Sequence, residues 1–477
     1  MTEDGAPREA SGRAGVTSTR TSVEGEILRG AVRAFERAGL GFCVLNSYAD
    51  YPERIGSDVD AVAEDPARLP RLLSESRNAT LVQAARTRAA AATYYVLCRW
   101  HEGRPRFLTL HVGADCRRHG RVFLRAEEFL EDSRPFEFFR VPSPAPEFAA
   151  YLVKKVHQGS LEESRARRLG ELYREDPAGC GRYLRRLLPA AEACLVAEAA
   201  EGGDWGPVRA RMARLRGAMS GRVDWERPLE VLLNSLGDHW KRLQNAVRPP
   251  GLMVAVLGVD GAGKSTVMAA LERDLGPAFW STKQYHGRAL ESPLRWTKRV
   301  REQRRRRDAE IEAEAGRSQK KPRDPHAKSL RGLGLSLVKL GAWWADFTFL
   351  GYVLDVHPRL RRSGLVLFDR YYQDLLVDPR RHRYGGPLWL ARFAGRFFPR
   401  PDLVILLDAA PEVLYARKRE VSLRETTRQR EAYLDLVRKI PNGRVVDASR
   451  SPREVAAQVE KLILDHMSER TARRLGL

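Results

Sequence analysis

Nine consecutive residues constrain the fold of this 477-residue chain more than any other feature. They run from Gly258 to Thr266 and fit the pattern G-x-x-x-x-G-K-[ST]. An apolar segment at 252–257 precedes them with the pattern of a buried strand, and 264–275 follows with that of a helix. The glycines allow backbone N–H groups to surround an anion, and the helix start adds partial positive charge. The sequence therefore predicts a strand, a phosphate-binding loop and a helix in succession.

The side chains of this loop predict a site for ATP and Mg²⁺. We expect Lys264 to reach the β- and γ-phosphates, and the Ser265 hydroxyl to ligate a Mg²⁺ ion that bridges them. The loop residues predicted to bind ATP are Gly258, Asp260, Gly261, Ala262, Gly263, Lys264, Ser265 and Thr266. A glycine-rich turn without a ligand is the alternative interpretation.

The chain from 251 to 477 alternates between strand and helix patterns. Strands are predicted at 252–257, 364–368, 403–407 and 444–446, and helices at 264–275 and 452–467. Alternation of this kind is typical of a parallel sheet with helices on both faces. We therefore expect an α/β fold of the P-loop NTPase type.

A polar triplet follows one of these strands, at the sheet edge where α/β proteins bind ligands. Asp369, Arg370 and Tyr371 come directly after the strand 364–368. Arg370 is suited to bidentate binding of an acceptor phosphate, and Asp369 to positioning Mg²⁺ or accepting a proton. Such a triplet is more often a structural ion pair, but its position after a phosphate-binding loop favours the catalytic interpretation.

Several motifs taken together resemble the thymidylate kinase family. They are the loop Gly258–Thr266, the segment Phe368–Tyr371, and the segment Pro401–Asp408 with Pro411 and Glu412. Two further segments match, Arg417–Arg419 where the lid of that family begins, and Val446–Ser449 where its adenine-contacting loop lies. The resemblance extends from about 251 to the C-terminus.

The resemblance implies ATP-dependent phosphorylation of a nucleoside monophosphate, dTMP in that family. It implies that lid arginines neutralise charge on the transferred group, with Arg417, Arg419 and Arg424 as candidates. It also implies ATP contacts from Asp447 and Ser449, and acceptor contacts from Asp260, Arg288, Arg370 and Tyr371. The predicted catalytic residues are therefore Lys264, Asp369, Arg370, Arg417, Arg419 and Arg424.

Two segments depart from the family's pattern and leave the acceptor open. The family has an Arg-Glu-Pro-Gly-like loop that helps to hold the thymine nucleotide, whereas this chain has Tyr285-His286-Gly287-Arg288. After Tyr371 the chain continues with Tyr372-Gln373-Asp374 and then Asp378-Pro379-Arg380-Arg381. A kinase of a non-nucleotide acceptor such as a sugar phosphate is therefore one alternative function. A nucleotide-binding regulatory protein that contacts polyanions through the basic segment 298–331 is the other.

Three further regions are predicted before the kinase-like domain 251–477. Residues 1–26 are rich in Ser, Thr, Gly, Ala and charge, which predicts a disordered tail. Residues 27–145 combine a helix with short apolar runs and predict a small α/β domain. Residues 146–247 have helical periodicity with breaks at 176–177 and 202–203, and predict a helical segment.

Two aspartates in the region 27–145 predict a metal site. Asp58 and Asp60 lie one residue apart at the predicted end of a strand, so both carboxylates can turn to one divalent ion. With Gly56-Ser57 before them, they resemble the metal-binding pair of the nucleotidyltransferase superfamily, which implies that fold for the domain. His111 occupies the place of that superfamily's third carboxylate, so His111 substitutes for it or the site is degenerate. In the simplest alternative, the aspartates only end a strand.

The charge of the chain indicates anionic partners. Lys and Arg number 83 against 61 Asp and Glu, a formal net charge of +22. The segment 298–331 is a basic insertion with 13 Lys and Arg against 6 Asp and Glu and few aromatic residues, which predicts backbone-driven contact with a polyanion. Nucleotide substrates and a polyanion are the predicted partners, and a homodimer is left open.

The cysteines and the apolar segments favour a cytoplasmic protein. Five cysteines are scattered without CxxC spacing, and the first 26 residues have no apolar core of signal-peptide length. The most apolar stretch, 333–356, is interrupted by Lys339, Asp346 and Asp355, which are costly inside a bilayer. We therefore expect no transmembrane segment and a buried or interfacial helix at 333–356.

Overall fold

The computed structural model of the protein describes residues 22–45, 48–56, 58–86, 92–286, 326 and 329–477. Arg288, most of the predicted tail (1–26) and most of the basic insertion (298–331) lie outside the described residues. The predicted tail boundary is wrong, because helix α1 (Val23–Arg37) already includes residues 23–26. Ser22 caps this helix by accepting a hydrogen bond from the N–H of Gly25.

The N-terminal sheet is mixed and has the strand order β1-β2-β5-β4-β3. Its strands are β1 (Phe42–Leu45), β2 (Asp58–Ala63), β3 (Thr80–Arg86), β4 (Thr93–His101) and β5 (Arg104–Gly113). The pair β2 and β5 is parallel, and the other pairs are antiparallel. Helices α1 and α2 (Leu69–Ser74) pack against this sheet through a common apolar core.

The structure corrects the predicted position of the aspartate pair. Strand β2 begins at Asp58 instead of ending at Asp60. The buried residues that hold the strand in the sheet are Val59 and the three that follow the pair, Ala61, Val62 and Ala63. The aspartates therefore lie at the amino end of a strand that continues for three more residues.

Two hairpins and a run of helices follow this sheet. The hairpins are β6 (Asp115–Arg118) with β7 (Arg121–Arg125), and β8 (Arg134–Phe136) with β9 (Phe139–Val141). The helices are α3 (Ala126–Leu130), α4 (Pro144–Gln158), α5 (Glu163–Glu175), α6 (Pro177–Leu187), α7 (Ala190–Gly202), α8 (Gly206–Ala210), α9 (Met212–Glu226) and α10 (Pro228–Val247). Both predicted breaks are confirmed, since Asp176 caps α6 and Gly203 ends α7 in the left-handed conformation.

The C-terminal sheet is parallel throughout and has the order β11-β12-β10-β13-β14. Its strands are β10 (Leu252–Leu257), β11 (Ser281–His286), β12 (Gly364–Asp369), β13 (Leu403–Asp408) and β14 (Gly443–Asp447). All six residues of the central strand β10 are buried. The predicted α/β fold with a parallel sheet is confirmed. The apolar run at 252–257 allowed this prediction, because a strand buried on both faces has a continuous apolar sequence.

Eight helices of the described chain accompany this sheet. They are α11 (Lys264–Leu275), α12 (Leu333–Ala345), α13 (His357–Arg361), α14 (Gln373–Val377), α15 (Leu388–Ala394), α16 (Pro411–Arg417), α17 (Leu423–Arg438) and α18 (Pro452–Leu475). Two π-helical segments, Asp346–Leu350 and Tyr352–Val356, join α12 to α13. In the described residues, no helix combines the length and apolar character needed to span a membrane.

The two sheets share one hydrophobic core. Val82 and Val96 of the N-terminal sheet are buried in the same cluster as β10 and α18. Thr471 of α18 donates a hydrogen bond to the carbonyl oxygen of Val82 (2.9 Å). Gln83 of β3 donates to the carbonyl oxygen of Pro250 (2.9 Å). Segments more than 150 residues apart in the chain thus pack as one unit.

Candidate functional site

The loop at 258–263, here called the glycine loop, connects the central strand β10 to helix α11. Gly261 and Gly263 have positive φ values of 88° and 86°, and Gly258 has 149°. A Cβ atom at Gly261 would lie 2.6 Å from the carbonyl oxygen of Leu414. Both the backbone conformation and the close approach of α16 therefore require glycine at 261.

Lys264 is held against the glycine loop. Its Nζ donates hydrogen bonds to the carbonyl oxygens of Gly258 (2.9 Å) and Val259 (3.1 Å), and only 7% of its side chain is exposed. Burial, together with the positive charge of Arg370, lowers the pKa of Lys264 to about 8. An anion bound beside this ammonium group would favour its charged form.

Asp260 of the glycine loop is held between Arg370 and Arg381, here called the arginine pair. Arg370 donates to Oδ1 of Asp260, and Arg381 donates to Oδ2. Lys264 lies 3.8 Å from Oδ1. Burial alone would raise the pKa of Asp260, but the charges of Arg370, Lys264 and Arg381 lower it well below its ordinary value. Three cations thus surround one ionised carboxylate. Two adjacent guanidinium groups can also donate several hydrogen bonds to the oxygens of one phosphate.

Arg370 is positioned by its backbone as well as by its charge. Its φ of 69° is uncommon for a residue other than glycine, and its N–H donates to the carbonyl oxygen of Val256 in β10 (3.1 Å). Its Nη1 donates to Oδ2 of Asp374 (2.5 Å), which is almost fully buried. Tyr433 donates to the other oxygen of Asp374. These bonds fix the guanidinium group beside the glycine loop.

Asp369 fits the predicted metal ion. It ends β12 directly opposite Val256 of β10, close to the start of the glycine loop. Its Oδ1 is buried without a hydrogen-bond partner among the described residues, and its Oδ2 lies 3.4 Å from Nδ1 of His286. Buried polar atoms normally have a partner, and carboxylate and hydroxyl oxygens are ligands that Mg²⁺ accepts. Asp369 and Ser265, the exposed second residue of α11, are the residues that could hold it.

The predicted lid arginines lie in different environments. Arg417, at the end of α16, donates to the carbonyl oxygens of Ala448 (2.8 Å) and Ser449 (3.4 Å). Arg419 lies above the ring of Tyr415, 5.5 Å from its centroid. Arg424 is exposed in the first turn of α17. The structure thus joins Arg417 to the loop after β14 and leaves the other two at the surface.

The loop after β14 has a defined conformation. Oδ1 of Asp447 accepts hydrogen bonds from the N–H (2.9 Å) and the hydroxyl (2.6 Å) of Ser449. The N–H of Ala448 donates to the carbonyl oxygen of Asp408 in β13 (2.6 Å). Together with the bonds from Arg417, these contacts hold the predicted adenine-contacting loop at the same edge of the sheet as the glycine loop.

Tyr371 has a different environment from the one expected of an acceptor contact. Its side chain is buried, and its hydroxyl donates to the carbonyl oxygen of Pro399 (2.7 Å). Its ring packs against Phe347 and Phe368. The structure therefore places the Tyr371 side chain in the hydrophobic core.

The N-terminal aspartates do not form a group of three metal-type ligands in the described residues. Lys154 of α4 donates to Oδ2 of Asp60 (2.6 Å), and His111 lies 3.9 Å from Oδ1. His111 is opposite Asp60 in the parallel pair of β2 and β5. Asp60 therefore has a cationic partner, Lys154, in addition to the nearby imidazole of His111.

A second polar cluster positions Arg381. Asp378 accepts hydrogen bonds from the N–H of Arg381 (3.1 Å) and from Gln429 of α17 (3.1 Å), and it also contacts His326. His326, Asp378 and Glu425 together have the ligand types of a metal site. Glu425 already pairs with Arg428, so both carboxylates have cationic or N–H partners. The cluster thus ties the segment that carries Arg381 to α17.

Sequence reasoning did not assign Arg381, Asp374 or Tyr433 to the site. Arg381 lies in a segment with three other basic residues, and no pattern distinguishes the one that reaches Asp260. The available signal was the Asp378-Pro379 pair, which predicts a turn that Asp378 can stabilise by accepting the N–H of Arg381. Asp374 and Tyr433 are recognisable only once α14 and α17 are in contact.

The parallel sheet, the glycine loop after its central strand and the buried lysine are consistent with an α/β NTPase-like fold. Comparison with known proteins identifies relatives of that class. The chain is 33% identical over 230 residues to the probable thymidylate kinase 1 of Saccharolobus solfataricus, covering 44% of this chain and 96% of the relative. It is 28% identical over 225 residues to the probable thymidylate kinase of Pyrobaculum aerophilum, covering 44% and 95%. No protein-family model matches the chain.

A bacterial relative extends this result. The chain is 26% identical over 233 residues to the thymidylate kinase of Xanthomonas euvesicatoria pv. vesicatoria, covering 47% of this chain and 88% of the relative. The chain therefore belongs to the thymidylate kinase family through rather less than half of its length. The matched part of the chain is about as long as the segment 251–477, which contains the motifs.

Proposed function

We propose that this protein is an ATP-dependent nucleoside monophosphate kinase that converts dTMP and ATP to dTDP and ADP. The observation that carries the proposal is the cluster of Lys264, Asp369 and the arginine pair at the carboxyl edge of a parallel sheet, in a chain of the thymidylate kinase family. Transfer of a phosphoryl group requires mainly positioning and neutralisation of charge. This cluster supplies both.

The glycine loop and α11 bind ATP in this proposal. Backbone N–H groups of the loop surround the β-phosphate, and Lys264 bonds the β- and γ-phosphates in place of the loop carbonyls. Ser265 and Asp369 would hold a Mg²⁺ ion, which would supply positive charge to neutralise the phosphates. Arg417, Asp447 and Ser449 shape the loop that receives the adenine ring. Arg419 and Arg424 approach the transferred group when the segment that carries them closes.

The arginine pair binds the phosphate of the acceptor. Asp260 keeps the two guanidinium groups adjacent while the site is empty of substrate, and Arg370 is further fixed by Asp374. The acceptor's phosphate thus meets donors whose orientation is already set, which lowers the entropic cost of reaching a reactive geometry. Arg381 gives this site a second guanidinium group, which also favours other phosphate acceptors. A sugar phosphate is therefore the second candidate.

The remaining parts of the proposal concern location and partners. The five cysteines are free, which supports a cytoplasmic location. Contact of the basic insertion 298–331 with a polyanion is retained as a proposal from its charge alone. Nucleotidyl transfer by the N-terminal sheet stays a prediction from Asp58 and Asp60, and it requires Lys154 to release Asp60 to a metal ion.

A coupled assay of ADP release tests the proposal. The full chain is supplied with Mg²⁺, ATP and a panel of nucleoside monophosphates and sugar phosphates, and we expect turnover with dTMP. Lys264→Ala should lower kcat by at least about 100-fold, because it removes a charge that stabilises the transition state. Arg370→Ala should lower kcat/KM for the acceptor by a similar factor.

The matched control is Lys461→Ala, which removes an exposed lysine of α18. This variant should retain wild-type turnover. A wild-type protein that binds ATP but phosphorylates no acceptor of the panel would refute the kinase proposal. Turnover with a sugar phosphate but not with dTMP would refute the acceptor and retain the reaction class.

A further inference from the structure

Helix α10 exposes a continuous apolar seam. The seam residues are Leu229, Leu233, Leu236, Trp240, Leu243 and Val247, and between 55% and 73% of each is exposed. Alternating steps of four and three residues separate them, which is the spacing of the contact face in a coiled coil. All of α10 is described by the structure, and none of its residues is buried.

Polar contacts from the other side of α10 hold it to the rest of the chain. Arg117 donates to Oδ1 of Asn234 (2.6 Å), and Asn234 donates to the carbonyl oxygen of Gly120 (3.1 Å). Arg125 pairs with Glu230 at 3.3 Å. A surface helix normally turns its apolar face towards the core. Helix α10 has the reverse orientation, since its polar side faces the hairpin of β6 and β7 and its seam faces solvent.

We propose that α10 forms an antiparallel coiled coil with α10 of a second copy of this chain. In an antiparallel arrangement about a two-fold axis, every seam residue opposes a seam residue of the other copy: Leu229 opposes Val247, Leu233 opposes Leu243, and Leu236 opposes Trp240. Each large indole thus packs on a leucine. A parallel pair would place the two Trp240 side chains against each other.

The seam has the area that a stable interface needs. From their exposed fractions, the six residues present roughly 700 Å² on each copy, so complete burial of both seams would remove at most about 1,400 Å² from solvent, within the range of about 1,200–2,000 Å² for specific interfaces. An exposed apolar patch of this size on a folded chain marks an interaction surface.

The charge of α10 favours a second copy over an anionic surface. Glu230 and Asp238 balance Lys241 and Arg242, so the helix is neutral although the chain carries +22. Helices that bind membrane surfaces usually have Lys and Arg along their polar face, and binding of nucleic acid requires a surplus of cations. Two neutral helices can approach each other without charge repulsion.

Light scattering after size-exclusion chromatography of the full chain tests the proposal. We expect the wild-type protein to have twice the mass of one chain, 53.9 kDa. The double variant Leu236→Glu/Trp240→Glu should have the mass of one chain, with at least a 100-fold higher dimer Kd. The control Arg242→Glu changes an exposed residue of α10 outside the seam and should leave the dimer intact. Circular dichroism should show that all three proteins are folded, because these side chains are exposed in the single chain.

Cross-linking tests the direction of the pair in a Cys194→Ser background, which removes the exposed cysteine. Leu229→Cys combined with Val247→Cys should form a disulfide-linked dimer, and neither substitution alone should. Cross-linking by Leu229→Cys alone would overturn the antiparallel arrangement. A monomeric wild type at 50 µM, a dimer unaffected by the double variant, or seam-dependent sedimentation of a monomer with phosphatidylcholine vesicles would overturn the dimer itself.

Discussion

At the scale of single residues, Asp260 organises the charges of the site. Without its carboxylate, Arg370 and Arg381 would repel each other, because like charges at close range destabilise one another strongly where water is excluded. Its two oxygens each accept one guanidinium group, so the pair is aligned before substrate arrives. Lys264 lies 3.8 Å from the same carboxylate and donates hydrogen bonds to carbonyl oxygens of the loop. The donor and acceptor ends of the proposed site are therefore electrostatically coupled.

The pKa of Lys264 predicts a pH dependence of ATP binding. Because burial lowers this pKa to about 8, the ammonium group of the free protein loses its proton as the pH rises through 8. Bound phosphates favour the charged form, so binding above pH 8 takes up a proton and becomes weaker. We expect the Kd for ATP to rise by up to about tenfold per pH unit above 8. Titration calorimetry at pH 7, 8 and 9 measures this change.

The variant Lys264→Arg is the control for this experiment. Its guanidinium group stays protonated throughout the range, so its Kd for ATP should not show the step near pH 8. An unchanged Kd of the wild-type protein between pH 7 and 9 would contradict the prediction.

At the scale of secondary-structure elements, the site depends on the contact between the glycine loop and α16. The carbonyl oxygen of Leu414 lies only 2.6 Å from the position that a Cβ atom at 261 would occupy. Arg417 of the same helix donates a hydrogen bond to the loop after β14. One short helix therefore touches both the predicted phosphate end and the predicted adenine end of the site.

Gly261→Ala should disrupt this contact. The new Cβ atom would lie 2.6 Å from the Leu414 carbonyl, and φ at this position is 88°, so the loop or α16 must move. We expect ATP affinity to fall at least about tenfold and the free energy of unfolding to fall by about 1–3 kcal/mol. Calorimetric titration and denaturant unfolding measure the two effects.

Gly217→Ala is the matched control, because Gly217 lies inside α9 with open space around its Cβ position. Alanine is favoured over glycine in a helix by about 1 kcal/mol, so this variant should be as stable as the wild type or more stable. Equal behaviour of the two alanine variants would show that the glycine loop tolerates a side chain at 261.

At the scale of the whole molecule, the N-terminal sheet and the kinase-like segment form one packed unit. Strand β3 packs against α18, and both contribute to the core around β10. Gln83 also bonds Pro250, in the segment that precedes β10. The predicted helical segment ends at 247 and the predicted kinase-like domain begins at 251, but the packing of the chain is continuous across this boundary.

The shared core predicts that the two sheets unfold together. Val96→Asp places an unpaired charge in that core. It should lower the free energy of unfolding of both sheets by about 3 kcal/mol or more. Differential scanning calorimetry should show one unfolding transition in the wild type. Mg²⁺ with a non-hydrolysable ATP analogue should raise the midpoint temperature of that whole transition.

Val353→Asp is the control, since Val353 is 51% exposed and can accept a charge without burying it. Two separate transitions, of which the nucleotide analogue moves only one, would show that the sheets are energetically independent.

Local pattern was sufficient for the elements that surround the glycine loop. The predicted strand 252–257 and helix 264–275 have the observed bounds, and the strands at 364 and 403 end within one residue of the prediction. Strand β3 was not predicted, because Thr80–Arg86 contains Gln83 and no long apolar run. Its pairing with β4 and its contact with α18 hold it in place, and both contacts are distant in sequence.

The sequence by itself determined the glycine loop between a strand and a helix, and the parallel sheet, because these follow from residue types at short, regular spacing. Only the tertiary structure decided that Arg381 joins Arg370 on Asp260, that Lys154 takes Asp60, and that the seam of α10 faces solvent. Each of these depends on which distant segments come into contact. Many arginines and apolar residues could have made such contacts, and packing of the whole chain selects among them.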